Sequence, residues 1–224
     1  MKNKGFTLLE VTIVLLIVGL LLGGILGPIA TRHEQKQRQD TQDKLDQIKD
    51  ALFGFAITNG RLPCPDTDAT PDGIENPIDG VAGCTAVFGT VPYETIGVNA
   101  IHDTWNNPFS YRVTGTWADD PVALAGTGCG VATTGVSFEL CSVGDITIND
   151  ANSVQIVDEI PVVVFSQGKE DLASRTSTPE TDNNGNDSIY VYSDISMVTG
   201  AEYDDMMVWI SPNILKYRMV QAGR

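Results

Sequence analysis

The sequence predicts an α+β protein, a long N-terminal helix packed on a globular head that carries an antiparallel β-sheet. Two observations carry that expectation. The first 60 residues are an apolar run followed by a charged amphipathic one, whereas from Arg61 onward Gly and Pro punctuation is dense and apolar runs are short. Helical and strand-like patterns are therefore segregated along the chain rather than alternating, which separates α+β from α/β architectures. With 224 residues, 42% of them hydrophobic, the chain suits one domain, or one domain plus an appendage, and is too apolar to be disordered throughout. A net charge of −15 repels phosphate backbones and argues against nucleic-acid binding.

The first element begins with a short basic head, residues 1–5, holding Lys2 and Lys4. Between Phe6 and Ala30 the one charge is Glu10. As a helix, residues 6–30 would span about 37 Å, enough to cross a bilayer core. The basic head would stay cytoplasmic and send the rest of the chain outward. A secretory signal peptide is the alternative, but the apolar stretch is longer than a typical signal core. A carboxylate inside an apolar span is costly and usually has a partner. Gly23, Gly24, Gly27 and Pro28 weaken a helix and predict a kink or a partly melted stretch between about Gly23 and Ala30.

The run Lys4-Gly5-Phe6-Thr7-Leu8-Leu9-Glu10 resembles the N-terminal signature of the type IV pilin and type II secretion pseudopilin family. The resemblance covers roughly the first 30 residues strongly and the rest loosely. It implies that a prepilin peptidase/methyltransferase cuts after Gly5 on the cytoplasmic side and methylates the new N-terminus at Phe6. It also implies that Glu10 occupies the family's glutamate position, where it neutralises a terminal ammonium during assembly. The implied partners are the membrane, an inner-membrane assembly platform and other pilin or pseudopilin subunits. Helix geometry agrees, since positions 6 and 10 share a face.

Residues 31–60 continue the helix. Arg32, Lys36, Arg38 and Lys44 are interleaved with Glu34, Asp40 and Asp43, then Leu45, Ile48, Leu52 and Phe55 recur at intervals of three and four, with Ala51 and Phe53 beside them. That stripe would lie on the head; it is too short for a free coiled-coil stalk. Asn59-Gly60 is a stop signal.

The head is expected over residues 61–224. Its candidate strands are Phe109–Val113, Val136–Leu140, Gln155–Ile156, Pro161–Phe165, Ile189–Tyr192 and Met206–Ile210, with turn chemistry at Asn106-Asn107-Pro108, Gly126-Thr127-Gly128 and Asn183-Asn184-Gly185. A weak helical period covers Pro212–Val220. Four cysteines, Cys64, Cys84, Cys129 and Cys141, favour disulfides outside the cytoplasm. Three pairings are open; the local one, Cys64–Cys84 with Cys129–Cys141, is the expectation, each loop adding about 3 kcal/mol. The short paired spacing of a zinc site is missing.

No cofactor is required, but two acidic loops invite a structural calcium, which takes six to eight oxygens. One is Asp66–Gly73, where Thr70 and Pro71 break the EF-hand pattern. The other is residues 182–187, giving Asp182, Asn184, Asn186 and Asp187, joined by Asp204 and Asp205. The resemblance supports the second, because several secretion pseudopilins carry calcium in a C-terminal loop; a solvated acidic turn is the alternative. Enzymatic constellations are absent: no nucleophile elbow, no P-loop and no dinucleotide fingerprint. His102 reads as a packed or hydrogen-bonded loop residue, and Trp105, Trp117 and Trp209 as core anchors. The resulting expectation is a structural subunit, a minor pilin or pseudopilin, anchored in the bacterial inner membrane and then built into an extracytoplasmic filament. A membrane-anchored adhesin or ligand-binding module that never polymerises is the alternative.

Overall fold

The computed structural model describes residue 5 and residues 7–77, 83–120, 135–169, 181–183, 187–198 and 201–224. The chain divides into two compact units, Met1–Asp40 and Thr41–Arg224. Helix α1 (Leu8–Asn59) supplies residues to both.

In the first unit α1 is helical without interruption across Gly23–Ala30, so the melted stretch expected there is not observed. Its described apolar side chains, Leu8 to Leu20, stand exposed, from 43% at Val18 to 83% at Leu8. Among the described residues no helix is long and apolar enough to cross a membrane. A span needs about 20 apolar residues, and the described apolar side chains run only from position 8 to 20. The polar section that follows holds an i,i+4 ion pair between Glu34 and Arg38 at 2.7 Å.

In the second unit the helix is part of the core. Thr41, Leu45, Ile48, Leu52 and Ala56 are fully buried, one stripe at the 3.6-residue period. Each of the three large aliphatics contributes about 1.5–3 kcal/mol. The expected stripe ended on Phe55, but that ring is half-exposed, and Phe53 and Ala56 take the buried places. Gly60, in the left-handed region at φ 75°, ends the helix. A Cβ there would also collide with the carbonyl oxygen of Gly135.

The stripe packs on a four-stranded antiparallel sheet of β1 (Phe88–Thr90), β2 (Ser110–Val113), β5 (Val162–Ser166) and β9 (Met206–Ile210), in that order. Tyr111, Val113, Val162, Val164, Val208 and Ile210 join Leu45, Ile48 and Leu52 in one core. Alternate residues Val163, Phe165 and Met207 enter a second core with Ile146, Ile148, Ile160 and Tyr190. The second core is closed by a three-stranded sheet, β3 (Ile146–Asn149) flanked by β4 (Gln155–Ile160) and β6 (Ile189–Val191). In it β3 and β6 run parallel, so the single antiparallel sheet expected from the sequence is corrected to two layers, one of them mixed. Strands β7 (Ser196–Val198) and β8 (Ala201–Tyr203) form a hairpin. Short helices α2 (Tyr93–Ile96) and α3 (Gly115–Ala118) and the terminal α4 (Pro212–Gln221) complete the unit.

Residues 136–140, expected as a strand, are irregular. Their pattern comes from packing: Phe138 stacks on Trp117 at 4.2 Å between ring centroids, and the Ser137 hydroxyl donates to the Trp117 carbonyl at 2.9 Å.

Candidate functional site

The N-terminal site is built on the start of α1. Gly5 is exposed and non-helical, and nothing lies within 4 Å of where its Cβ would be. The candidate bond after it is therefore uncovered on the Gly5 side; Phe6 lies outside the described residues. Thr7 is the N-cap. Its hydroxyl accepts from the Glu10 N–H at 3.3 Å, and the Glu10 Oε2 accepts from the Thr7 N–H at 3.3 Å and the Thr7 hydroxyl at 3.4 Å. This is a capping box, T-x-x-E, in which two orphan helix donors are satisfied reciprocally. The sequence reading gave Glu10 a partner in the new ammonium and overlooked this local one, although Thr7-Leu8-Leu9-Glu10 spells it. Glu10 is exposed, in a helix start that is otherwise apolar.

Residues 1–26 match the family described as the prokaryotic N-terminal methylation motif. The chain carries the type IV pilin and pseudopilin signature. That motif is a prepilin-type signal for peptidase processing. Comparison with curated proteins and with solved structures finds no match.

Beyond the prepilin-type signal, the head's acidic residues divide by environment. In the loop favoured for calcium, Asn184 and Asn186 lie outside the described residues. Asp182 and Asp187 are exposed, and the Asp187 Oδ1 accepts from the Ile189 N–H at 3.2 Å. Asp204 and Asp205 are buried and engaged: Asp204 accepts from the Lys169 N–H and Asp205 from the Asn183 amide, both at 2.7 Å. Among the described residues these four carboxylates do not converge. Asp66, Asp68 and Asp72 do, with one oxygen of each within 4.8 Å of the others. Yet both oxygens of buried Asp66 already accept backbone N–H groups, from Asp68 at 3.0 Å and Gly73 at 2.7 Å, so this carboxylate shapes its loop.

Sequence reading also missed three polar locks of the head. The buried amide of Asn183 accepts from the Val191 N–H at 2.8 Å and donates to the Val191 carbonyl at 2.9 Å, mimicking a neighbouring strand. Buried Asp103 accepts from the Trp105 and Asn107 N–H groups and from the Ser166 hydroxyl, at 2.7–2.9 Å. Glu75 receives a bidentate contact from Arg61 at 2.6 and 2.7 Å and the Cys64 N–H at 2.9 Å. Burial alone would lower the Arg61 pKa, but the Glu75 carboxylate outweighs it, and the guanidinium ends above its ordinary range.

Cys64 and Cys84 form the expected disulfide. Cys141 is also disulfide-bonded, and Cys129 lies outside the described residues. Of the aromatic anchors only Trp117 is fully buried, its indole N–H donating to the Val143 carbonyl at 3.1 Å; Trp105 and Trp209 are half-buried. His102 is exposed, and its carbonyl accepts from Lys44 at 2.8 Å.

Proposed function

We propose that the chain is a pilin-like structural subunit. In this reading it is held in the inner membrane by residues 6–30, cut after Gly5 by prepilin peptidase, methylated at Phe6 and assembled through α1 into an extracytoplasmic pilus or pseudopilus. The observation that carries the reading is the methylation motif over residues 1–26, set on a helix whose apolar side chains from Leu8 to Leu20 are exposed in the single chain. A helix apolar all round has to be covered by lipid or by other helices. One environment serves for storage and the other for assembly. Cleavage turns Phe6 into a terminal ammonium four residues from Glu10. In a filament, a neighbouring subunit's ammonium would meet that carboxylate and fix the axial offset between shafts, while the head forms the outer surface.

N-terminal mass analysis of the mature chain, combined with shearing of surface filaments, tests the reading. A chain beginning at methylated Phe6 and present in the sheared fraction is expected. A chain beginning at Met1 or near Thr31 removes the basis of the proposal. One that is processed at Phe6 but stays wholly with the membranes is a non-polymerising anchored adhesin or binding module instead.

A further inference from the structure

Charge is divided unevenly along the head. Between Leu62 and Ser211 there are three basic residues, Arg112, Lys169 and Arg175, against 23 acidic ones. Between Pro212 and Arg224 the balance reverses: Lys216, Arg218 and Arg224, with no acidic residue. This basic segment is α4 and its tail, and it carries apolar residues on its outer face as well as its inner one. Leu215 and Met219 face the core, while Ile214, Tyr217 and Val220, three residues apart, are each more than half exposed. Leu140, 73% exposed, shares with Val220 a groove of about 230 Å³ that is also lined by Met219, Lys216, Arg224 and one acid, Glu139. The cations are held in place from below. Lys216 donates to the Ser142 carbonyl at 2.6 Å, Arg218 lies 4.0 Å over the Phe53 ring, and Arg224 donates to the Thr58 carbonyl at the end of α1.

We propose that α4 docks on the acidic head surface of a second copy of this chain, a proposal that rests on the filament reading above. Charge complementarity selects the occupant and the geometry. Two heads meeting through acidic faces repel, and two meeting α4 to α4 set Lys216, Arg218 and Arg224 against themselves. Only the pairing of α4 with a different, acidic face is attractive. Such a heterologous contact repeats along an open helical array instead of closing into a dimer. The exposed apolar row supplies contact area, and the surrounding cations choose the partner face.

The test places the photo-crosslinking residue benzoylphenylalanine at Tyr217, and separately at Ile214, in the full-length chain, and irradiates sheared filaments. Expected is an adduct joining α4 to a peptide from residues 62–211 of a second copy, its yield falling severalfold as salt rises from about 0.05 to 0.5 M, where screening shortens to a few ångströms. Filaments that contain the chain but give no such adduct, an α4–α4 adduct, an adduct only with another protein, or a salt-independent yield overturn the docking and leave the filament reading standing. Absence of the chain from sheared filaments overturns both.

Discussion

Glu10 has two candidate partners, and replacing it and Thr7 separately distinguishes them. The capping box is long and exposed, with contacts of 3.3–3.4 Å, so Thr7→Ala should cost about 1 kcal/mol at the helix start, a factor of about five. Glu10→Gln retains an acceptor oxygen at the same reach and preserves the box, but it removes the charge. Opposite charges about 4 Å apart at an effective dielectric constant near 20 attract by about 4 kcal/mol, or roughly a thousandfold in an equilibrium constant. Filament incorporation, read as the sheared-to-membrane ratio by quantitative immunoblot with Phe6 processing checked by mass, should therefore collapse in Glu10→Gln and fall only modestly in Thr7→Ala. If Thr7→Ala is the worse variant, or both behave alike, Glu10 acts as a cap and the charge argument for assembly is wrong.

Three further outcomes follow from the head. Cys64→Ser opens a disulfide spanning 20 residues and should cost about 3 kcal/mol, lowering the Tm of the detergent-solubilised chain by about 6–12 °C; an unchanged melt after reduction refutes this. Asn183→Ala strips the Val191 N–H of its buried acceptor and Asp205 of a donor, for a loss of about 3 kcal/mol, with hydrogen exchange at Val191 accelerating before that of β5. Burial pushes up the phenol pKa of Tyr111, Tyr190 and Tyr203. The folded head keeps these protons while the unfolded chain releases its own near pH 10, so this stability is full below pH 10 and lost as pH rises above it. The slope is about 1.4 kcal/mol per tyrosine per pH unit, and a head equally stable to urea at pH 9 and pH 11 contradicts it.

The strands that were legible are those whose burial is written in local pattern. Val162-Val163-Val164-Phe165 is apolar without alternation because β5 is central and buried on both faces. Met206–Ile210, the edge strand beside it, is also an unbroken apolar run because Met207 enters one core while Val208 and Ile210 enter the other. The sequence predicts only two residues of β4, against six observed, because Asp158 and Glu159 are consecutive exposed acids and the left-handed φ of 55° at Glu159 breaks the alternation of a strand. β1 escaped notice because Phe88-Gly89-Thr90 is short and is defined by pairing with Ser110–Arg112 rather than by composition. Val136–Leu140 alternates as a strand would, yet its N–H at Ser137 goes to the Gly60 carbonyl at the end of α1, a partner 77 residues away. The polar locks share that property, since Asp103, Asn183 and Glu75 look like ordinary loop residues until distant backbone is brought to them.

By itself the sequence determined the processing motif, the helix stop at Gly60 and the apolar period of α1, because each is a local matter of covalent order and helix geometry. Tertiary structure decided the parallel pairing of β3 with β6, the second core, and the display of Ile214, Tyr217 and Val220 on a basic face. These depend on which surfaces meet across long chain separations, and no short window of residues encodes the meeting.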